Sequence, residues 1–258
     1  MKVIEMKIVI NKQYSDIKEW VEQLPSNFDN LGEVVYQARN TLKKIVLPNG
    51  EEVVVKKYAV PIFVNRIAYR FFRKSKAQRA YENAERLLAM GVDTPVPIFY
   101  ITIYKKGLFY QGYFGSINNP TTNIMREFVD GVNSGEEVLK QFATFTKQLH
   151  DKNILHIDYS PGNIIYEKTD DGVVKFSLLD LNRMRFDKEL SRKERLYNFR
   201  RMFRSKESLA ILVGEYARLC GWEQDAAIKE AIEYSTQFWI KTDKRNEYKR
   251  RRNERRKK

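Results

Sequence analysis

The sequence predicts an α+β fold: a small antiparallel β-rich lobe with one helix, then a larger, mainly helical lobe. Three observations point there. β-branched and aromatic runs broken by hairpin signals dominate the first hundred residues, one stretch among them carries apolar residues at helical spacing, and after Pro120 the helical period prevails. The expected boundaries are 1–117 for the first lobe, 118–240 for the second and 241–258 for a basic tail.

The strand candidates are "GEVVYQARN", "KKIVLPNGEEVVVKKY" and "IFYITIYKKGLFYQGYFGSI", with hairpin signals at Asn49-Gly50 and Lys105-Lys106-Gly107. Between the second and third lies "NRIAYRFFRKSKAQRAYENAERLLAMG", read as one helix that stops at Gly91 before the breakers Pro95 and Pro97. Further on, "GEEVLKQFATFTKQLHDKN" is helical, "GVVKFSLLDLNRMRF" reads as a hairpin strand, and from Ser191 the chain is helical almost to its end. There are no internal repeats.

A formal charge of +14 and a pI near 9.6 call for anionic partners: nucleic acid, nucleotide phosphates or an acidic membrane surface. Residues 241–258 hold eleven basic and three acidic side chains, so this stretch carries +8 and the body only +6. Its low complexity suggests a frayed helix or a disordered segment. The single cysteine, Cys220, excludes an internal disulfide and reads as a buried structural thiol in a reducing compartment. The N-terminus lacks the apolar core of a secretory signal, and no window is long and apolar enough for a membrane span. A cytoplasmic protein is expected, peripheral on a membrane if attached at all.

The densest polar motif is "HIDYSPGNIIY", His156 to Tyr166. An aspartate, Asp158, five residues before an asparagine, Asn163, across a Pro-Gly turn can offer a carboxylate to a substrate hydroxyl and an amide oxygen to a metal ion. Asp180, at the tip of the apolar run "SLLDLN", is placed to supply a second metal ligand. Phosphoryl transfer also needs a cation on the nucleotide phosphates. Lys56 closes the strand "EVVVK" and Glu82 lies on the following helix, a pair that matches the strand lysine and helix glutamate of phosphate-positioning sites. Lys57 is adjacent, but alternation sends it to the opposite sheet face.

Taken in order, Lys56, Glu82, His156-x-Asp158-x4-Asn163 and Asp180 resemble the protein-kinase-like superfamily. The phrases "VVVKKY", "SKAQRAYENAERLLAMGVDTPVPI", "ILHIDYSPGNIIY", "LLDLNRMRF" and "RLYNFRRMF" resemble its lipopolysaccharide kinase (Kdo/WaaP-type) branch over residues from about 30 to 205. The resemblance implies a protein-kinase-like bilobal fold and transfer of the γ-phosphate of ATP, with Mg2+, to a sugar hydroxyl (Kdo or heptose) of the lipopolysaccharide inner core. It implies Asp158 as catalytic base or orienting carboxylate, Asn163 and Asp180 as magnesium ligands, Lys56 on the α/β-phosphates and Glu82 as its partner. His156 is read as a buttress of the loop. The implied partner is an anionic glycolipid, lipid A-core, with peripheral contact to the inner membrane through basic segments and no specific nucleic acid.

Departures from a standard protein kinase are informative. No G-x-G-x-x-G is present, so Arg39, Asn40, Lys43 or backbone N–H groups are expected on the phosphates instead. The metal motif reads Asp-Leu-Asn, with Asn182 able to take the positive φ of a tight turn. About ten residues separate it from the next helix and no A-P-E follows, which leaves no peptide-docking segment. Alternatives are a RIO-like protein kinase or small-molecule phosphotransferase, and a catalytically silent RNA- or membrane-binding module. The stretch 62–76 interleaves aromatics with basic residues; it is either an interfacial helix or a helix packing its aromatics on the small lobe with a solvated basic face.

Overall fold

A computed structural model describes residues 4–257. Two compact units result: residues up to 120 together with 178–183, and residues 121–177 together with those from 184 onward.

The first unit is built on a six-stranded antiparallel sheet of β1 (Ile4–Ile10), β2 (Glu33–Gln37), β3 (Thr41–Val46), β4 (Glu52–Lys57), β5 (Pro97–Lys105) and β6 (Leu108–Ile117), in the order β1-β5-β6-β4-β3-β2. The β3–β4 and β5–β6 turns fall where expected, with Gly50 at φ +88° and Gly107 at φ +72°.

Strand alternation sorts the two sheet faces. One face carries Ile45, Val53, Val55, Phe99 and Ile101, all buried against Val21, Leu24 and Phe28 of the N-terminal helical segment. Each such large apolar side chain contributes about 1.5–3 kcal/mol on burial. That segment is a 3-10 helix, Lys12–Ile17, capped by Asn11, running into α1 (Lys18–Asn27). It was not anticipated, because its apolar positions are few and matter only against the sheet. The other face, with Tyr58 and Tyr100, receives Ala77 and Tyr81.

Those last two belong to α3 (Lys76–Ala89). The single helix expected over 65–91 is in fact two, α2 (Phe63–Phe71) and α3. Ser75 is the physical reason: it is extended (φ −60°, ψ 162°) and its hydroxyl accepts from Gln78 N at 3.1 Å, so it starts a new helix.

The second unit packs α4 (Glu136–Asp151), α5 (Arg192–Asn198), α6 (Lys206–Leu219) and α7 (Gln224–Lys257) around Phe142, Phe199, Leu212 and Tyr216. Two small ladders complete it: β7 (Leu155–His156) with β10 (Met184–Arg185), and β8 (Ile164–Lys168) with β9 (Val174–Leu178). Of the two readings of the basic tail, helix and disorder, the helical one holds: α7 runs unbroken to Lys257. Ala227, Ala231 and Ser235 anchor its first half, and pairs four residues apart such as Glu247–Arg251 (2.6 Å) support the exposed half.

Candidate active site

In the first unit the centre is Lys56. Alternation along β4 turns it toward the face that carries α3, while Lys57 goes to the other face, where its Nζ meets Asp29 at 3.0 Å and lies over the Phe28 ring. Lys56 Nζ donates to Asp180 Oδ1 at 2.6 Å, and its side chain is 15% exposed. Such a partner offsets part of the cost of enclosing an ammonium.

Asp180 is brought there by the segment 178–183, which is fastened to the first unit at three points. Leu178 N donates to Asp93 O (3.0 Å), Thr94 Oγ1 donates to Leu178 O (2.7 Å), and Asn83 Nδ2 donates to Leu181 O (2.7 Å). The positive φ expected at Asn182 falls instead on Asp180 itself, at +55°. Aspartate tolerates this conformation through local hydrogen bonding. Asn182 is buried and donates from Nδ2 to Asp180 Oδ1 at 2.6 Å, holding the carboxylate that it follows.

Two expected phosphate-side contacts are corrected. Glu82 does not pair with Lys56: its carboxylate takes Lys74 Nζ at 2.8 Å and Gln78 Nε2 at 2.9 Å, on the exposed side of α3. Helix periodicity is the reason, because the side of α3 that packs on the sheet is defined by Ala77, Ala80, Tyr81 and Ala84. Lys43 is buried in the α1-facing core, where Asp29 O and Leu31 O each accept from Nζ at 2.8 Å and the Phe28 ring lies 5.3 Å away. Moving it to a phosphate would strand those carbonyls.

Of the other residues at the β2–β3 turn, Asn40 Oδ1 accepts from Ala59 N at 3.1 Å, which ties the turn to the end of β4. Arg39 lines a cavity with Tyr58, Asn65 and Lys76. In the sequence Lys76 reads only as one of the basic residues of the stretch 62–76, with no place at the site. Burial, and then the neighbouring Arg39 guanidinium, push its pKa below the usual lysine value, as in a pocket short of negative charge.

In the second unit the motif "HIDYSPGNIIY" folds as β7, an extended link, a 3-10 turn (Pro161–Asn163) and β8. His156 is buried, its ring tilted against Tyr159 with centroids 6.0 Å apart, and its carbonyl accepts from Asn198 Nδ2 at 3.1 Å. Tyr159 is wholly buried: it stacks on Phe142 and its hydroxyl lies 2.8 Å from Thr146 Oγ1. These contacts hold the loop from both sides of Asp158.

Asn163 Nδ2 donates to the Asp158 backbone carbonyl at 3.0 Å, so the residue closes the loop and offers a ligand only through its amide oxygen. The Asp158 carboxylate, 19% exposed, accepts from Arg201 Nη1 at 2.7 Å. Arg201 also lies over the Phe238 ring at 5.6 Å, which fixes its guanidinium.

Arg201 was likewise missed. "RLYNFRRMF" offers three arginines, and the sequence does not distinguish them. Arg195 goes to Asp151 at 2.7 Å and Arg200 donates to Tyr197 O at 2.9 Å; the 3-10 turn Phe199–Arg201 after α5 aims Arg201 at Asp158.

The first unit thus holds an ammonium paired with a carboxylate, Lys56 with Asp180, and the second an oriented carboxylate beside an amide, Asp158 with Asn163. Asp180 and Asn163 supply oxygen donors only, the chemistry that magnesium prefers.

The family model described as the lipopolysaccharide kinase (Kdo/WaaP) family matches residues 37–222. No curated protein matches the sequence. Among solved structures, "WaaP in complex with acyl carrier protein" is similar with a TM-score of 0.57 at 12% identity, over 92% of this chain and 98% of that one. The Rio2 kinase–ADP/Mg2+–phosphoaspartate complex from Chaetomium thermophilum gives a TM-score of 0.46 at 13% identity, over 84% of this chain and 67% of that one.

Proposed function

The chain belongs to the lipopolysaccharide kinase (Kdo/WaaP) family and is a phosphotransferase, and we propose that it transfers the γ-phosphate of ATP to a sugar hydroxyl, of Kdo or heptose, in the lipopolysaccharide inner core. The observation that carries the acceptor class is the brevity of the chain after Asp180. Met184–Arg185 already pairs with β7, and Ser191 caps α5 through a reciprocal bond with Glu194, so only residues 186–190 remain between ordered elements. No segment of that length can lay out a peptide for phosphorylation. An open acceptor such as a glycolipid suits it.

In this reading Asp158 orients the acceptor hydroxyl and takes its proton as the oxygen attacks the γ-phosphorus and the bond to the β-phosphate breaks, releasing ADP. Arg201 keeps the Asp158 carboxylate aimed. Lys56 has three N–H donors and spends one on Asp180, leaving others for the α- and β-phosphates. Arg39, with Lys76 beside it, adds positive charge in place of a glycine-rich loop, and Asn40 holds the turn. Asp180 and Asn163 are assigned magnesium ligation. The bound ion would offset charge on the phosphates. The basic segments would keep the enzyme on the cytoplasmic face of the inner membrane, where its acceptor lies.

The test is incubation with magnesium-ATP and Kdo-bearing lipid A, read by mass, with Asp158→Asn as the blank. Addition of one phosphate to the glycolipid is the expected result. Labelling of protein with none on the glycolipid would replace this reading by a RIO-like protein kinase.

A further inference from the structure

Helix α2 is turned the wrong way round for a surface helix. Its polar and basic side chains face the protein: Arg66 Nε donates to Phe109 O at 2.8 Å, Tyr69 meets Phe109 edge-on at 5.3 Å, and Arg70 pairs with Glu5 at 3.0 Å while lying over the Tyr104 ring at 4.4 Å. Its apolar side chains face solvent. Phe63 is 62% exposed, Val64 70% and Phe71 65%, and the flanking Ile62 and Phe72 reach 72% and 85%. Phe63, Val64, Ile67 and Phe71 lie along one stripe at helical spacing, and no residue of α2 is buried. Tyr69 apart, this is the reverse of a helix that packs its aromatics on the small lobe with a solvated basic face. A soluble surface rarely leaves so many large side chains together in water.

We propose that this stripe docks on an anionic lipid bilayer, with α2 lying in the interface and its aromatic side chains among the acyl chains. Charge selects that occupant. From Val53 to Tyr81 the chain has eight basic residues and no acidic one. The exposed Arg73 follows the helix directly. The β5–β6 turn, with Lys105 and Lys106, lies beside α2 through the Tyr104 contact to Arg70. Aromatic side chains on a convex stripe with a basic rim match an anionic headgroup layer over hydrocarbon. Among the described residues no helix is long and apolar enough to cross a membrane, so attachment in this way is interfacial. The inference deepens the membrane association in the proposed function but rests on the geometry of α2, and vesicle binding is measured without ATP or acceptor, so either can fail alone.

The experiment is flotation of the full chain with vesicles of phosphatidylglycerol and phosphatidylethanolamine, and with neutral phosphatidylcholine vesicles. The native protein should float with the anionic vesicles. Phe63→Asp with Phe71→Asp should weaken this by about tenfold or more, whereas Phe63→Leu with Phe71→Leu should retain it. Both pairs are exposed, and circular dichroism should show an unchanged fold. Equal binding by the aspartate variant would overturn the proposal and move the contact to the basic end of α7. So would absence of native binding, or a native dimer without lipid that the aspartate pair converts to monomer, since a second copy would then cover the stripe.

Discussion

Lys56 Nζ donates to Asp180 Oδ1 at 2.6 Å, and the Glu82 carboxylate on α3 is occupied by Lys74 and Gln78. The lysine is therefore held from the 178–183 segment rather than from α3. Glu82→Gln should leave kcat within about threefold of the native value, while Lys56→Met should lower kcat/KM for ATP by about a hundredfold or more. Steady-state kinetics on both variants checks this, and a severe Glu82→Gln defect would return the helix carboxylate to the site.

Asp180 has a second role as proposed metal ligand. Asp180→Asn keeps the shape and the contact from Asn182 but removes the charge, so magnesium-dependent nucleotide binding should be lost. Titration calorimetry with ADP, with and without magnesium, reads this directly. Equal binding in the variant would take Asp180 out of the metal site.

Asp158 and Arg201 separate chemistry from orientation. Asp158→Asn should abolish transfer with ATP binding largely intact. Arg201→Met removes the 2.7 Å contact that aims the carboxylate, together with the cation over Phe238, so kcat should fall by about tenfold or more while KM for ATP stays near native. An unchanged kcat would show that the loop holds Asp158 unaided.

His150 gives the second unit a pH dependence unrelated to catalysis. It is buried with Nδ1 2.8 Å from the Tyr216 hydroxyl, and burial, then the Arg195 charge, lower its pKa from the ordinary 6.5 to about 3. The unfolded chain takes up the proton near pH 6.5 and the folded chain does not. Stability is thus full above that value and declines as pH falls from 6.5 toward 3. Between pH 7 and 4.5 the loss from this residue is about 2–3 kcal/mol. Urea denaturation of the native protein and His150→Gln at both pH values should show a weaker pH slope in the variant; equal slopes would count against this account.

Gly115 on β6 has no room for a side chain. A Cβ there would lie within 2.9 Å of three atoms along one edge of the Phe99 ring, and Phe99 is itself fully buried in the α1-facing core. Gly115→Ala should cost about 1–3 kcal/mol, seen as a lower thermal midpoint without loss of the sheet's circular dichroism signal. An unchanged midpoint would mean that the core yields more than its packing suggests.

The sequence alone determined what local periodicity and turn chemistry control. Alternation in "EVVVKKY" separated Lys56 from Lys57, Asn49-Gly50 and Lys106-Gly107 marked the hairpins, and the order of polar motifs pointed to the family. Only the tertiary structure decided which partners those side chains meet. Three arginines of "RLYNFRRMF" are equivalent on paper, yet the 3-10 turn after α5 sends Arg201 to Asp158. Ser75 splits one helical pattern into two, so α3 turns Glu82 outward while α2 presents its phenylalanines to solvent. Lys43, expected on a phosphate, lies beneath the sheet because two carbonyls and the Phe28 ring satisfy its charge there. A pattern of residues limits which face a side chain can occupy. What it meets on that face depends on distant segments, and burial makes an unsatisfied charge too costly to leave alone.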